Sequence, residues 1–430
     1  MQTRRTLRSG TALLLGLAVM AAACGSGIAT ALPSGGASAG ATPSSATPSA
    51  AGSTGQSDQA VYATIERQVE ALRELRPTST VTPVLLDSQG LRDWLTKANA
   101  AQTDHVALAN ESRLFADLGL IPAGSSLEQM ELDLEAGQVV GFYDPVSKGL
   151  YVLSQSGGVG PTQKLTFSHE YTHALQDQNF GLDKLATSTA DEGDRDLARI
   201  ALPEGDATLL MTMWMQQNLS MVELLQVAGE SLSGPQSDQL AKAPEILRQT
   251  LTFPYDQGLA FVQGIYSTGG WAAVDKLYAS PPDSTSQILH PELYAAGVKP
   301  VALTVPPAPA SLGSGWKLTM QDTLGEFQLG VWLEGQNPTS AATTAAQSAT
   351  STWAGDRVGL YESPDGAWAV VLDTAWRTAG GEAAFVQAAT PKTAGLPGPA
   401  VVCANGNDVG VYVASTVNAL EAFAPCRPPL

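Results

Sequence analysis

The chain has 430 residues, and its 41 acidic against 23 basic residues give a formal charge of −18. A surface this acidic argues against nucleic acid as a partner, because phosphate binding requires clustered Lys and Arg. It also disfavours binding to an anionic membrane through charge alone. The length is ample for a large core, and the sequence lacks the repeated long apolar runs of a polytopic membrane protein.

The start of the chain has the pattern of an export signal. Several arginines precede an apolar run over residues 11–23, which is too short to span a bilayer as a helix. The run ends in three alanines and Cys24, which resembles the lipobox of bacterial lipoproteins. The resemblance implies that a signal peptide of residues 1–23 is removed and that Cys24 carries a lipid anchor on the extracytoplasmic face of the cell membrane. An ordinary signal peptide followed by a free cysteine is the alternative.

Residues 24–58 consist mostly of Gly, Ala, Ser, Thr and Pro. Such a segment buries too little apolar surface to fold, so we expect a disordered tether. Two further cysteines, Cys403 and Cys426, lie near the end of the chain. In an oxidising compartment they predict one disulfide, with two free thiols as the alternative.

The body of the chain alternates helical and strand patterns. Apolar spacing and turn residues predict the following elements before residue 300: helices over 60–75, 162–180, 203–227 and 257–279, and strands over 81–86, 138–143 and 149–154. The charged residues 181–199 predict an irregular segment, and Pro203 is placed at the first turn of its helix. Beyond residue 301, strands over 367–373, 399–403 and 409–414 alternate with helices over 381–389 and 417–424.

One motif carries recognisable chemistry. His169 and His173 flank Glu170 in an HExxH pattern inside the predicted helix over 162–180. Residues four apart lie on one face of a helix, so both imidazoles can reach a single Zn²⁺ ion. Glu170 then lies beside the metal, close enough to take a proton from water.

A catalytic zinc has three protein ligands, and no third histidine follows at a short spacing. The third ligand is therefore expected to be a carboxylate. Glu204 lies in an apolar stretch, where a buried charge requires a compensating cation. Glu192 lies in a charged run typical of a solvated loop, but its spacing from His173 also fits a ligand.

The HExxH motif followed by Glu204-Gly205-x-Ala207 resembles the gluzincin branch of zinc metallopeptidases. Residues 169–180 and 284–294 are similar to a group of bacterial secreted or lipoprotein gluzincins. The resemblance covers about residues 60–300 and favours Glu204 over Glu192 as the third ligand.

The resemblance also raises a question about the residue that orients a ligand histidine. Many gluzincins have an aspartate four residues after the ligand glutamate, and here that position is Thr208. Asp206 or Asp177 would have to serve instead, or the role is unfilled.

The mechanism that the resemblance implies is metal-assisted hydrolysis of an amide bond, with Glu170 as the general base. His290 is the candidate for a second electrophile, with Tyr255 and Tyr143 as rivals. The strand over 149–154 is a candidate edge for holding a peptide substrate by strand addition. His105 lies in a polar stretch typical of a structural or exposed residue.

These observations predict an α+β protein. Residues 59–300 are expected to form a mainly helical, zincin-like catalytic body with a small sheet, and residues 301–430 an α/β lobe. The expected function is a membrane-tethered zinc peptidase that acts on peptide or protein substrates outside the cytoplasm. The alternative is a lipid-anchored binding or scaffold protein that holds zinc without turnover.

Overall fold

A computed structural model describes residues 58–87, 104–138, 141–153, 158–185, 191–233 and 235–426, with short pieces between 89 and 97. The predicted signal peptide, Cys24 and nearly all of the predicted tether lie outside the described residues. The first helix begins at Asp58, the last residue assigned to the tether. The structure is mixed α and β with two small sheets, which confirms the α+β prediction.

The part before residue 300 is mainly helical. Its helices are α1 (Asp58–Arg73), α2 (His105–Asp117), α3 (Leu127–Gln138), α4 (Pro161–Phe180), α5 (Leu182–Leu185), α6 (Gly193–Asn218), α7 (Met221–Ser233), α8 (Pro235–Lys242), α9 (Glu245–Ala279), α10 (Thr285–Leu289) and α11 (Pro291–Ala295). Its strands are β1 (Val84–Leu86), β2 (Gly141–Asp144) and β3 (Gly149–Leu153). Helices α2 and α3 were not predicted from the sequence pattern.

Helix α4 carries the HExxH motif and forms as its sequence predicts. Pro161 occupies the first turn, where its missing N–H costs nothing, and Gly181 ends the helix in the left-handed region at φ 77°. All residues from Leu165 to Asp177 are buried, so this helix runs through the core instead of along the surface.

The start of helix α6 differs from the sequence prediction for residues 181–203. The segment 181–199 is not irregular throughout, because α5 lies within it and α6 begins at Gly193. Pro203 lies inside α6 and not at its start. Proline removes one backbone hydrogen bond from a helix interior. Packing of the preceding turns outweighs that loss, since Leu197, Ala198 and Ala201 are all buried.

Helices α6 and α9 cross with their backbones in close contact. A Cβ atom on Gly205 would overlap the backbone of Gly258, and a Cβ on Gly258 would overlap the carbonyl of Ala201. Only glycine permits this approach at the two positions. The crossing brings Tyr255 of α9 close to the turn of α6 that carries Glu204.

The first sheet has the strand order β1-β3-β2, with β1 parallel and β2 antiparallel to β3. The hairpin of β2 and β3 confirms the predicted pairing across Asp144-Pro145. The prediction that residues 149–154 form an edge is wrong, because β3 lies between its two neighbours. Strand β2 has one strand neighbour and is an edge of the sheet among the described residues.

The C-terminal part is built on an antiparallel sheet. The expected α/β lobe is therefore α+β, because its strands do not pair through parallel crossovers. Its strands are β4 (Lys317–Asp322), β5 (Trp353–Glu362), β6 (Trp368–Trp376), β7 (Ala400–Asn405) and β8 (Asp408–Ala414), in the order β4-β5-β6-β8-β7. Its α-helices are α12 (Gly325–Glu334), α13 (Ser340–Thr350), α14 (Ala379–Ala389) and α15 (Val417–Phe423). Strands β6 to β8 and helices α14 and α15 match the predicted pattern, while β4, β5, α12 and α13 were not predicted.

The core under this sheet also includes residues from α2 and α3, such as Leu114 and Leu127. It therefore draws on segments from both sides of residue 300. Cys403 on β7 and Cys426 form a disulfide with Cα atoms 5.7 Å apart. Among the described residues, no helix is both long enough and apolar enough to cross a membrane.

Candidate metal centre

Three potential metal ligands meet where α4 packs against α6. His169 and His173 leave one face of α4 a single turn apart. Their Nε2 atoms are 3.0 Å apart. Glu204 Oε2 lies 3.1 Å from His169 Nε2 and 3.4 Å from His173 Nε2. Within the described ranges, this is the one group of three or more His, Cys, Asp or Glu side chains whose ligand atoms are close enough to share a metal ion.

The triangle of these three atoms fits a zinc ion. Ligand atoms bound tetrahedrally at ~2.0–2.1 Å are separated by about 3.3 Å, close to the edges observed here. Two imidazole nitrogens and one carboxylate oxygen are also the donor set of many catalytic zinc sites. All three side chains are buried, with Glu204 at 0% exposure. A divalent cation would compensate the cost of burying that carboxylate.

The three groups are coupled electrostatically. Burial lowers the pKa of His169. Burial acts in the same direction on His173, but the Glu204 carboxylate outweighs it and raises the pKa of His173 to about 9. Burial by itself would raise the pKa of Glu204, yet the two imidazoles, His173 foremost, bring it below its ordinary value. A divalent cation bound between these side chains would therefore have to displace a proton.

Glu170 lies next to His169 on α4 and is fully buried. Its Oε2 accepts a hydrogen bond of 2.8 Å from the backbone N–H of Tyr143 on β2. Its Oε1 is buried without a hydrogen-bond partner among the described residues. Burial raises the pKa of Glu170 to about 8, against the opposing effect of His173. One oxygen is thus anchored by the sheet, and the other is available to exchange a proton.

Gln176 contacts His173, one of the two candidate ligand histidines. Its Oε1 lies 2.8 Å from His173 Nδ1, the ring nitrogen on the side away from the triangle. Its Nε2 donates to the backbone carbonyl of Pro203, at 3.0 Å. Gln176 is fully buried. Sequence reasoning missed this residue, although its position three residues after His173 on a helix was an available signal.

Asp206 belongs to a different network. It accepts two hydrogen bonds from Arg73, at 2.8 and 3.0 Å, and one of 2.6 Å from the hydroxyl of Tyr278. Arg73 also donates to Asp275 at 2.7 Å and lies over the ring of Trp271. This buried network joins α1, α6 and α9 two residues beyond Glu204. No sequence signal connected Arg73 with this site.

In the described part of the chain, neither Asp177 nor Asp206 forms a hydrogen bond to His169 or His173. Asp177 accepts a hydrogen bond of 2.7 Å from the hydroxyl of Tyr143 and forms an ion pair of 2.8 Å with Lys148. Thr208 Oγ1 is buried without a partner among the described residues. The contact to a histidine that was expected from an aspartate is made to His173 by the side-chain amide of Gln176.

Glu192 lies outside the triangle. It occupies the N-cap position of α6 and pairs with Arg195 at 3.4 Å and Arg357 at 3.8 Å. Its surroundings agree with the solvated charged run seen in the sequence. The structure therefore brings Glu204, and not Glu192, to the two histidines.

The candidates for the second electrophile are placed differently. Tyr255 has its ring centroid 6.1 Å from that of His169. Burial, followed by the charge of Glu204, raises its pKa well above its usual range. His290 instead contacts Glu326 of α12, with Nε2 2.7 Å from a carboxylate oxygen. Tyr143 contributes its backbone N–H to Glu170, while its hydroxyl is bonded to Asp177.

His105 contacts Glu128, with 2.9 Å between the ring nitrogen and the carboxylate, and its side chain is 61% exposed. This position agrees with the structural or exposed role expected from the sequence.

A family model matches the C-terminal part of the chain. Residues 317–423 match a family model described as a domain of unknown function (DUF8575). The matched range begins with β4, ends with α15 and contains every strand of the second sheet. No curated protein and no solved structure matches the chain at a significant level.

Proposed function

We propose that this protein is a zinc-dependent peptidase of the gluzincin type, with a zincin-like body. The observation that carries the proposal is the triangle of His169, His173 and Glu204 with the half-anchored carboxyl of Glu170 beside it. Burying two imidazoles and two carboxylates together at a helix crossing costs free energy, and a bound divalent cation would compensate that cost.

Glu170 acts as the general base in this proposal. The hydrogen bond from the Tyr143 N–H holds one oxygen, so the other can receive a proton from water and pass it to the leaving amine. A zinc ion, when bound by the three ligands, would polarise the scissile carbonyl and lower the pKa of water. Tyr255, beside His169 and Glu204, is better placed than His290 to stabilise the negative charge that develops on the carbonyl oxygen.

Strand β2 is the proposed binding edge for an extended peptide. It is an edge strand in the described part of the sheet, and the N–H of its Tyr143 donates to Glu170. A peptide that adds to this edge would lie alongside the base. The candidate strand for binding a peptide is therefore β2 and not β3.

We further propose that the protein is a lipoprotein anchored through Cys24 on the extracytoplasmic face of a bacterial cell membrane. The lipobox-like sequence supports the anchor. The disulfide between Cys403 and Cys426 supports an oxidising compartment, because such bonds are rare in the cytoplasm. Mass spectrometry of the mature N-terminus tests this directly. A diacylated Cys24 is expected, and a chain that begins elsewhere would contradict it.

A second function is favoured by one observation. His169 and His173 are at most 2% exposed, and Glu170 and Glu204 are 0% exposed. A zinc site closed to this degree also suits a lipid-anchored binding or scaffold protein without turnover. The two functions share the metal and differ in whether a peptide bond is cleaved.

The test is metal content and cleavage measured on the same full-length preparations. We expect about one zinc per chain in the wild type by mass spectrometry, with cleavage of a peptide library. Glu170→Gln should retain the zinc but lose cleavage by about 10²–10⁴-fold, because it removes the base and not a ligand.

Glu204→Gln should lose the zinc itself, whereas Glu192→Gln is the matched control and should retain both zinc and cleavage. Stoichiometric zinc without cleavage by the wild type would establish the scaffold function instead. A wild type that binds no zinc would overturn both.

A further inference from the structure

We infer that Gln176 is a positioning residue, which fixes the tautomer of His173 and ties this ligand to the turn that carries Glu204. The inference rests on the proposed zinc site but not on cleavage. It assigns to a glutamine the task for which the sequence offered only aspartates.

The orientation of the Gln176 amide follows from its partners. The carbonyl oxygen of Pro203 can only accept a hydrogen bond, so the amide nitrogen must face it, at 3.0 Å. The amide oxygen is thereby directed at His173 Nδ1, at 2.8 Å. Because that oxygen can only accept, Nδ1 must carry a hydrogen. The assignment depends on a backbone carbonyl whose identity is unambiguous.

This tautomer is the one that binds a metal through the other nitrogen. A neutral imidazole with hydrogen on Nδ1 has its lone pair on Nε2, and His173 Nε2 is the atom that belongs to the triangle. The hydrogen bond to Gln176 also fixes the ring plane, so the lone pair keeps its direction. The hydrogen bond between Gln176 and His173 therefore affects how His173 would hold a metal ion.

The same amide connects two ligands across the helix crossing. Its oxygen holds His173 of α4, and its nitrogen holds the carbonyl that directly precedes Glu204 on α6. Gln176 is fully buried, so water does not compete for either bond. His169 has no such support, because its Nδ1 is buried without a partner among the described residues. The positioning effect is therefore expected to act through His173.

Two variants separate positioning from a purely structural role. Gln176→Met keeps the length of the side chain but removes both hydrogen bonds. Gln176→Glu keeps an acceptor for the Nδ1–H, but it loses the donor to Pro203 and turns a carboxyl oxygen toward that carbonyl. Gln178→Met is the matched control on the same helix, because Gln178 bonds the exposed backbone of Thr78 and Ser79 instead.

The measurements are the zinc dissociation constant, by competition with a chelator on the full chain, and the unfolding temperature with and without zinc. We expect Gln176→Met to bind zinc about 10–100-fold more weakly and to gain less thermal stability from zinc. Gln176→Glu should keep an affinity close to that of the wild type, and Gln178→Met should match the wild type.

Equal losses of affinity in Gln176→Met and Gln176→Glu would overturn the inference, because they would show that only the bond to Pro203 matters. Wild-type affinity in Gln176→Met would also overturn it. Zinc binding without peptide cleavage would refute the proposed peptidase and leave this result intact. A wild type without zinc affinity would refute both.

Discussion

The helix crossing of the body and the centre of the C-terminal sheet bury different kinds of side chain. Between α4 and α6 the body buries ionisable and amide groups, several of which bond one another across elements. The centre of the second sheet is aliphatic, with Val358, Leu360, Val370, Leu372 and Val411 all at 0% exposure. Buried polar groups stabilise a fold only when they are satisfied, whereas aliphatic packing stabilises it directly. The difference supports placing the proposed chemistry in the body, while the sheet of the lobe contributes apolar packing.

The strongest test of the polar body is the Arg73 network. Arg73→Met would leave the Asp206 carboxylate buried without its cation, and we expect a loss of about 3–5 kcal/mol in the free energy of unfolding. Urea denaturation measures it. Arg113→Met is the control, because Arg113 pairs with Glu362 at a half-exposed position and should cost about 0–1 kcal/mol. Equal costs for the two variants would remove the distinction between buried and surface networks.

The apolar lobe is tested by Leu372→Ala. The side chain is fully buried in the second core, so its truncation should cost about 2–5 kcal/mol. If the two regions have separate tasks, zinc affinity measured below the unfolding transition should equal that of the wild type. A parallel loss of affinity would show that the lobe shapes the metal site.

A smaller effect is expected at the crossing of α6 and α9. Gly258→Ala would press a methyl group into the backbone of α6, at an expected cost of about 1–3 kcal/mol. Gly264→Ala is the matched control on the same helix. A Cβ there meets no atom within 4 Å, so the variant should gain about 0.5–1 kcal/mol. A stabilising Gly258→Ala would mean that the helices separate easily.

The smallest effect is expected where body and lobe meet, at His290. Its hydrogen bond to Glu326 raises the pKa of His290; burial opposes the shift, Glu292 adds to it and Arg377 counteracts it. The stabilisation is therefore complete at acidic pH and is lost as pH rises through the raised value. His290→Gln keeps a neutral donor, so the wild type should be more stable by roughly 0.5–1 kcal/mol at pH 5.5 and by less at pH 9.

Chemical denaturation at the two pH values measures this difference. His105→Gln serves as the control, since His105 is largely exposed and should give a difference near zero at both. A difference for His290→Gln that does not change with pH would argue against the ion pair.

The sequence by itself determined the helix that carries the HExxH motif. The HExxH spacing places two imidazoles on one face of any regular helix, and Pro161 and Gly181 define where this helix begins and ends. The alternating pattern likewise determined the β2–β3 hairpin. These features are local, so they follow from periodicity and from the backbone preferences of proline and glycine.

Only the tertiary structure decided which distant groups join that helix. Glu204 and Glu192 were both candidates for the third ligand, and the packing of α6 on α4 brings Glu204, and not Glu192, to the two histidines. The place of Pro203 inside α6 was misjudged because burial of the preceding turns outweighs a local rule. Arg73 and Tyr255 acquire their partners from helices far away in sequence, and Gln176 acquires its bond to Pro203 in the same way. Such contacts depend on how helices cross, which no local pattern encodes.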